Sequence, residues 1–367
     1  MMNGWAGRKL LWVLVVLAGV NARAAQAAPD SLYSEERTVT QLAEGVYTIR
    51  HADPFPGWVN GNTTVVIGER EALVVDSCQF SFCAQEDIAQ IRQWTTKPVR
   101  WLVNTHWHQD HNGGNRDYLE AFPGLAIVAH PATREMLADT APNFRQLVVG
   151  QAATLREKLS KRLTTGKMDD GQPLTEEKRA QTEKRLAQLD GLVEAANHYR
   201  CELPTAMVDH ELRIDLGGRE ARVAHLGRGN TAGDVVVWLP KEKVMISGDL
   251  LVSPVPFPFD GYPGEWIETL EKIDRMEPEV IVPGHGSVMR DKTYLRLVRE
   301  AMKSVVGQVH EQLRKDHEVT LETVKKAVDL KAFVDRFGGD DENTRKFFEY
   351  AMGEKFVELA FYEAKQR

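Results

Sequence analysis

The chain has 367 residues, 43% hydrophobic and 27% charged, with ordinary glycine (28) and proline (16) counts. That suffices for a sizeable core and excludes collagen-like, low-complexity and globally disordered chains. A net charge of −7 and a pI near 5.9 argue against a nucleic-acid partner, which needs clustered Lys and Arg to contact phosphates, and three cysteines are too few for a disulfide scaffold or a Cys-rich zinc module.

Arg8 and Lys9 precede an apolar run from Leu10 to Val20, and small residues follow in Ala24-Ala25-Gln26-Ala27-Ala28-Pro29. A positive flank, a short apolar stretch and a small-residue cleavage site, in that order, predict a secretory signal peptide over residues 1–28. The run is too short to cross a hydrocarbon core of about 30 Å. The expectation is therefore a periplasmic or secreted protein with no stable membrane anchor after cleavage. Loss of Arg8, Lys9 and Arg23 takes the net charge from −7 to −10. An oxidising compartment makes Cys78 and Cys83 candidates for a short-loop disulfide.

From Gly45 to Val128, short β-branched runs alternate with turns. Val46–Ile49, Asn62–Ile67 and Ala72–Val75 read as strands, the last two joined by a Gly68–Glu71 hairpin turn. Gln85–Trp94 has helical spacing and stops before Pro98, and Val99–Asn104 and Leu125–Ala129 read as buried strands. Strands alternating with helices predict a layered α/β architecture. Between about 140 and 200 the texture becomes helical. Phe144, Val148, Ala152, Leu155, Leu159 and Leu163 share one stripe, and a second helix follows Thr175, which resembles an N-cap with Glu176 and Glu177 in the first turn. This helical insertion is expected to pack its stripe on the core, with a substrate lid as the other reading. Strands resume at Ala221–His225, Asp234–Leu239, Lys243–Ile246 and Glu279–Val282. Beyond about 291 the pattern is a helical extension to residue 367, with Thr320 as a cap and Gly338-Gly339 as a break.

The chemistry sits at strand ends. Right after Val99–Asn104 comes Thr105-His106-Trp107-His108-Gln109-Asp110-His111-Asn112-Gly113-Gly114. Three histidines and an aspartate within six residues are costly to crowd together without a cation. Imidazole and carboxylate are donors that zinc accepts. His106 and His108, two apart in extended chain, project to one side, and Asp110 and His111 can turn toward a second ion. The glycine pair permits a tight turn into the next helix.

His106-x-His108-x-Asp110-His111 after a strand resembles the signature of the metallo-β-lactamase fold superfamily, which includes β-lactamases, glyoxalase II, lactonases and the long-form ribonuclease Z. The resemblance covers roughly Gly45 to Ser287, interrupted by the insertion. It implies an αββα sandwich over residues 29–290 with the site at one edge of two sheets. Gly248-Asp249 resembles the bridging-aspartate motif and Gly284-His285-Gly286 the last histidine motif. By that likeness His106 and His108 would serve one metal, Asp110, His111 and His285 a second, and Asp249 both. One position departs from the family. Gly227-Arg228-Gly229-Asn230-Thr231-Ala232-Gly233-Asp234 carries Asn230 where the family usually supplies a third histidine. An amide oxygen is a weaker zinc donor than imidazole, so the first site is expected to be weakened. His225 is a substitute donor or an ordinary strand-end histidine. Trp58 falls where relatives often carry a substrate-covering flap; it either contacts an apolar ligand or caps the core. Pro254–Phe259 is a cleft wall or a structural loop.

The chemistry expected is a zinc-bound hydroxide, oriented by Asp110, attacking an ester, lactone, lactam or thioester of a small molecule. No Gly-x-Ser-x-Gly elbow is present to supply a protein nucleophile. His108 separates the chain from the di-iron flavoprotein branch, where that position is typically glutamate. A β-lactamase-like activity fits an exported protein, although fold does not fix substrate. The other readings are a degenerate-site binding or sensory protein, motivated by Asn230, and a phosphodiesterase or nuclease, which the acidic surface weakens.

Overall fold

The computed structural model describes residues 36–53 and 58–366; the signal-peptide reading at 1–28, and Phe55, Pro56 and Gly57 of the flap, lie outside them. The first half of the chain winds a seven-stranded sheet. β1 (Thr38–Ala43), β2 (Val46–Arg50), β3 (Thr63–Ile67) and β4 (Ala72–Val75) form an antiparallel meander, and β5 (Val99–Val103), β6 (Ala126–Ala129) and β7 (Ala206–Met207) continue it in parallel. Every residue of β4 is buried: a central strand covered on both faces needs no polar alternation. β8 (Glu211–Asp215), β9 (Glu220–Ala224), β10 (Val236–Leu239), β11 (Val244–Val252) and β12 (Val280–His285) form the second sheet, with β11 and β12 parallel and the other pairs antiparallel.

The two sheets stack through one apolar layer. Val66, Leu73, Val103 and Val128 of the first meet Val223, Val237, Ile246 and Val282 of the second. α1 (Ser81–Trp94) and α2 (Asn115–Ala121) cover the first sheet's outer face with Ile88, Ile91 and Tyr118. The αββα sandwich expected from the motifs is the fold observed.

The insertion is a pair of long helices, α3 (Pro131–Thr165) and α4 (Glu176–His198). α3 begins at Pro131 rather than near 140. The His130 side chain accepts a hydrogen bond from the Ala132 amide, and Pro131 occupies the first turn, where its missing N–H costs nothing. Leu137 and Ala141 extend the buried stripe of Phe144, Val148, Ala152 and Leu159, so packing carries the helix through Pro142. Gly166, left-handed at φ 64, ends it. Thr175 caps α4 as expected, accepting from the Lys178 amide at 3.3 Å. The stripes of α3 and α4 close on each other and on Phe80.

α5 (Pro263–Arg275) and α6 (Thr293–Lys315) cover the second sheet with Trp266, Leu270, Val298 and Met302. α7 (Leu321–Ala327), capped by Thr320, precedes α8 (Lys331–Gly338) and α9 (Glu342–Phe348), and a π-helical stretch, Glu349–Phe356, runs into α10 (Val357–Gln366). Phe333, Phe337, Phe348, Met352 and Phe356 join the same apolar cluster as α5 and α6. The helical extension is thereby continuous with the core under the second sheet. No helix among the described residues is long and apolar enough to cross a membrane.

Candidate metal centre

Parallel register brings the motifs to one edge. β4 and β5 pair Val75 with Val103, so Asp76 and Asn104 emerge side by side and Thr105, His106 and His108 follow. A 3-10 turn, Gln109–His111, folds the chain back. Glycine is required just beyond it: a Cβ on Gly113 would lie 1.9 Å from the Gln79 carbonyl oxygen. On the other sheet β11 and β12 pair in parallel up to Gly248 and Pro283, where the register shifts. Gly248 is left-handed (φ 52), and this irregularity re-aims Asp249 toward the strand ends. A Cβ on Gly284 would meet Asp249 Oδ1 at 1.9 Å, so glycine leaves the room that carboxylate occupies.

His106, His108, Asp110, His111, Asp249 and His285 come together here. His106 Nε2 lies 2.9 Å from His108 Nδ1 and 3.6 Å from Asp249 Oδ2. His111 Nε2 lies 3.2 Å from Asp249 Oδ1, 3.4 Å from Asp110 Oδ2 and 3.2 Å from His285 Nε2. His285 Nε2 is 2.9 Å from Asp110 Oδ2 and 3.5 Å from Asp249 Oδ1. Two overlapping donor groups result, His106–His111–Asp249 and Asp110–His111–His285, with the ligand atoms of each within 4.8 Å of one another. Asp249 Oδ1 and Asn230 Oδ1 are buried acceptors without a hydrogen-bond partner among the described residues, as is His108 Nε2. Buried acceptors left unsatisfied beside facing imidazole nitrogens are what a cation would complete. The donor set fits a metal.

A supporting layer holds these groups in place. Asp76 accepts from the Thr105 amide and hydroxyl, each at 2.8 Å, and its Oδ2 lies 2.8 Å from His111 Nδ1. Thr105 Oγ1 in turn meets His106 Nδ1 at 3.0 Å. One buried carboxylate thus fixes both rings with Nε2 pointing inward, the arrangement that orients metal-binding histidines. Asn62 joins the sheets, its side-chain amide donating to the carbonyls of Pro283 (2.9 Å) and Gly286 (3.0 Å) on either side of His285. Sequence reasoning missed Asp76 and Asn62; the signal available was an aspartate directly after a wholly apolar strand.

The electrostatics are those of a site short of positive charge. Burial opposes the charge on His111, but Asp249, Asp110 and Asp76 outweigh it and push the ring well above its ordinary value. Burial likewise opposes the His285 charge, yet Asp249 and Asp110 raise that ring to about 10. Asp110 and Asp249 are held well below the usual carboxylate range, burial being overcome chiefly by the charge on His111. Burial drives His106 well below its ordinary value and lowers His108, so those rings are neutral and ready to ligate.

Asn230, not His225, reaches the cluster. Asn230 is fully buried, and its Nδ2 lies 3.5 Å from Asp249 Oδ2. The His225 ring instead lies against His130, tilted by 32° with centroids 4.2 Å apart, and its Nδ1 is 2.8 Å from the Asp234 carbonyl. His225 is a strand-end histidine. Trp58 packs edge-on against Phe144 of α3 at 6.3 Å, joining the flap to the insertion. Phe259, 48% exposed, stands edge-on to His108 at 5.1 Å, and Phe257 behind it stacks on Phe347. The Pro254–Phe259 segment is therefore a wall beside the centre, backed by the C-terminal helices.

Two outcomes follow. A divalent cation held here must displace the protons on His111 and His285, so its affinity should rise with pH across the neutral range, with about two protons released per ion in calorimetry. Asp76→Ala, which frees both rings, should weaken metal binding by about 10–100-fold; unchanged affinity would show that Asp76 does not orient them.

A family model described as the metallo-beta-lactamase superfamily matches residues 56–285. The chain is 22% identical over 247 residues to a linear primary-alkylsulfatase of Pseudomonas sp., covering 65% of this chain and 44% of that protein. It is 24% identical over 286 residues to a metallo-beta-lactamase type 2 of Bacteroides fragilis, covering 75% of this chain and 89% of the relative. The chain thus spans less than half the length of the alkylsulfatase. Among solved structures, a metallo-beta-lactamase from Pontibacter korlensis superposes with a TM-score of 0.52 at 18% identity, over 73% of this chain and 99% of that one. With more than half of its length matched by the family model and its donors gathered at the sheet edge, the chain belongs to the metallo-beta-lactamase superfamily.

Proposed function

We propose that this chain is a metallo-hydrolase, an exported, zinc-dependent enzyme that cleaves an ester, lactone, lactam or thioester of a small molecule. The observation that carries the reading is the pairing of Asp110, kept ionised, with His111, His285 and Asp249 around one point. His106, His108 and Asn230 lie on the other side of Asp249 as the donors for a second, weaker position. Zinc, when bound, supplies Lewis acidity and lowers the pKa of water toward about 7.

The chain's own residues do the rest. The Asp110 carboxylate accepts a hydrogen bond from the attacking water and aims its lone pair. Because Asp110 is held well below the ordinary range, it keeps that role at neutral pH. Phe259 offers an apolar face beside His108, which suits a substrate with an apolar substituent and keeps bulk water off one flank. The cysteines are not placed to act as nucleophiles: Cys78 and Cys83 are buried and Cys201 is half-buried beside Tyr199.

Activity should be profiled on a lactam, a lactone, a thioester, a carboxylic ester and a primary alkyl sulfate, the last because of the likeness to an alkylsulfatase over 65% of this chain. Zinc-dependent turnover of one of the first four, abolished by chelation and restored by zinc, supports the reading. Turnover confined to the alkyl sulfate moves the substrate class to sulfate esters, and a zinc-loaded protein inert on all of them overturns it. Dialysed wild type should hold fewer than two zinc ions per chain, and Asn230→His should raise the content toward two. Asp249→Ala should deplete both positions, and activity should track content in each variant. Two tightly held ions in the wild type would refute the weakened site. Export is supported by the signal-peptide pattern at 1–28; periplasmic protein shortened near Ala27 or Ala28 is the expected outcome, and full-length chain in the membrane fraction would contradict it.

A further inference from the structure

On the outer side of the first sheet lies a second set of buried polar side chains that hydrolysis does not use. His51 follows β2, Cys78 follows β4, and Cys83 and Asp87 sit one turn apart on α1. Cys78 and Asp87 are fully buried, His51 and Cys83 nearly so. The ligand atoms of His51, Cys78 and Asp87 all lie within 4.8 Å of one another. Cys83 is not one of those three, but it packs in the same buried cluster as Cys78. Both cysteines are free thiols, so the disulfide considered from sequence is not formed. Four metal-competent side chains share one pocket in an otherwise apolar layer of Val65, Val74, Ile88 and Ile127.

We propose that His51, Cys78, Cys83 and Asp87 form a metal site separate from the hydrolytic centre, suited to zinc or another thiolate-seeking divalent ion. The donor types and number match a four-coordinate structural site, and thiolates favour such ions over magnesium or calcium. Four residues separate Cys78 from Cys83, within the usual spacing of paired zinc cysteines. Three of the four donors already have an outer partner. His51 Nδ1 lies 2.9 Å from the Gly61 carbonyl, which fixes a tautomer with the Nε2 lone pair facing the cysteines and Asp87. Arg37 donates to Asp87 Oδ1 at 3.0 Å. Asn60 donates to Cys83 Sγ at 3.4 Å and accepts from the Gln79 amide at 3.1 Å. Such outer partners orient ligands and raise their basicity.

Charge closes the argument. With His51 neutral, two thiolates and the Asp87 carboxylate balance a divalent ion and the Arg37 guanidinium, so the loaded pocket is electroneutral, as a buried ionic group must nearly be. His51 Nε2 lies 2.7 Å from Asp87 Oδ2, so the two donors already face each other where the cation would sit. The Tyr118 hydroxyl, buried and without a hydrogen-bond partner among the described residues, lies within electrostatic reach of Asp87 and Cys78. The pocket also touches the hydrolytic centre's scaffold: Gly61, which holds His51, donates its amide to the Asp110 carbonyl at 3.1 Å.

Cobalt(II) tests this directly, because a cobalt–thiolate bond gives an intense near-ultraviolet charge-transfer band that the His, Asp and Asn donors of the hydrolytic centre cannot produce. Cys201→Ser protein, stripped of metal under reductant and titrated with cobalt, should develop that band, saturating at one ion per chain, and zinc should bleach it. Asp249→Ala in the same background should keep the band, and Cys83→Ser should lose at least half of it. Cobalt binding without a near-ultraviolet band, or a Cys78–Cys83 disulfide persisting in the reloaded protein, overturns the proposal. The band in protein with both cysteines intact decides the matter even where Cys83→Ser fails to fold. A protein that shows the band but hydrolyses nothing would fail the functional reading alone.

Discussion

Two ionised carboxylates, Asp110 and Asp249, face one buried imidazole, and the rest of the centre is arranged to make that tolerable. His111 Nε2 is within 3.4 Å of both. Two like unit charges 4 Å apart repel by about 4 kcal/mol at an effective dielectric of 20, a large fraction of a domain's net stability. His111 and His285 meet the cost with protons, and a divalent cation meets it better. The unsatisfied oxygens of Asp249 and Asn230 mark where that cation has its remaining donors.

This constraint explains the backbone around it. Charged groups can be crowded only where the chain cannot relax them apart, and here they hang from the ends of parallel strands in two stacked sheets. The shift at Gly248 and the bare backbone at Gly284 admit Asp249. Asp76 is the hinge of the arrangement, since it fixes Thr105, His106 and His111 together. Asn230 occupies the corner where a third imidazole would complete the first position, and its amide turns an NH₂ toward Asp249 Oδ2. That contact neutralises nothing, so the two halves of the centre are unequal.

Much of this was legible in the sequence, for identifiable reasons. Metal donors crowd at strand ends, so His106, His108, Asp110 and His111 announce themselves by density, and the cap at Thr175 and the stripe from Phe144 follow local rules that tertiary packing did not override. The first helix of the insertion starts earlier than its stripe from Phe144 indicates, because Leu137 and Ala141 also pack and carry the helix through Pro142. β1 is a largely exposed edge strand with little apolar alternation and left no period to read, whereas β8 alternates strictly, Leu212 and Ile214 inward and Glu211, Arg213 and Asp215 outward, a period-2 signal the expectations did not include. Asp76 had only its place after a wholly apolar strand to mark it; Asn62 and the His51–Cys78–Cys83–Asp87 group depend on residues distant in sequence meeting in the fold, and no local spacing encodes that.

The central claim is that a metal sits among Asp110, His111, Asp249 and His285 and is held more tightly there than beside Asn230. Anomalous diffraction from crystals of dialysed protein, collected on both sides of the zinc absorption edge, tests it most directly. The expected map has a strong peak bounded by those four side chains and a weaker one between His106, His108 and Asn230. Equal peaks at both positions would contradict the inequality, and no peak at either in crystals soaked with zinc would contradict the metal centre itself.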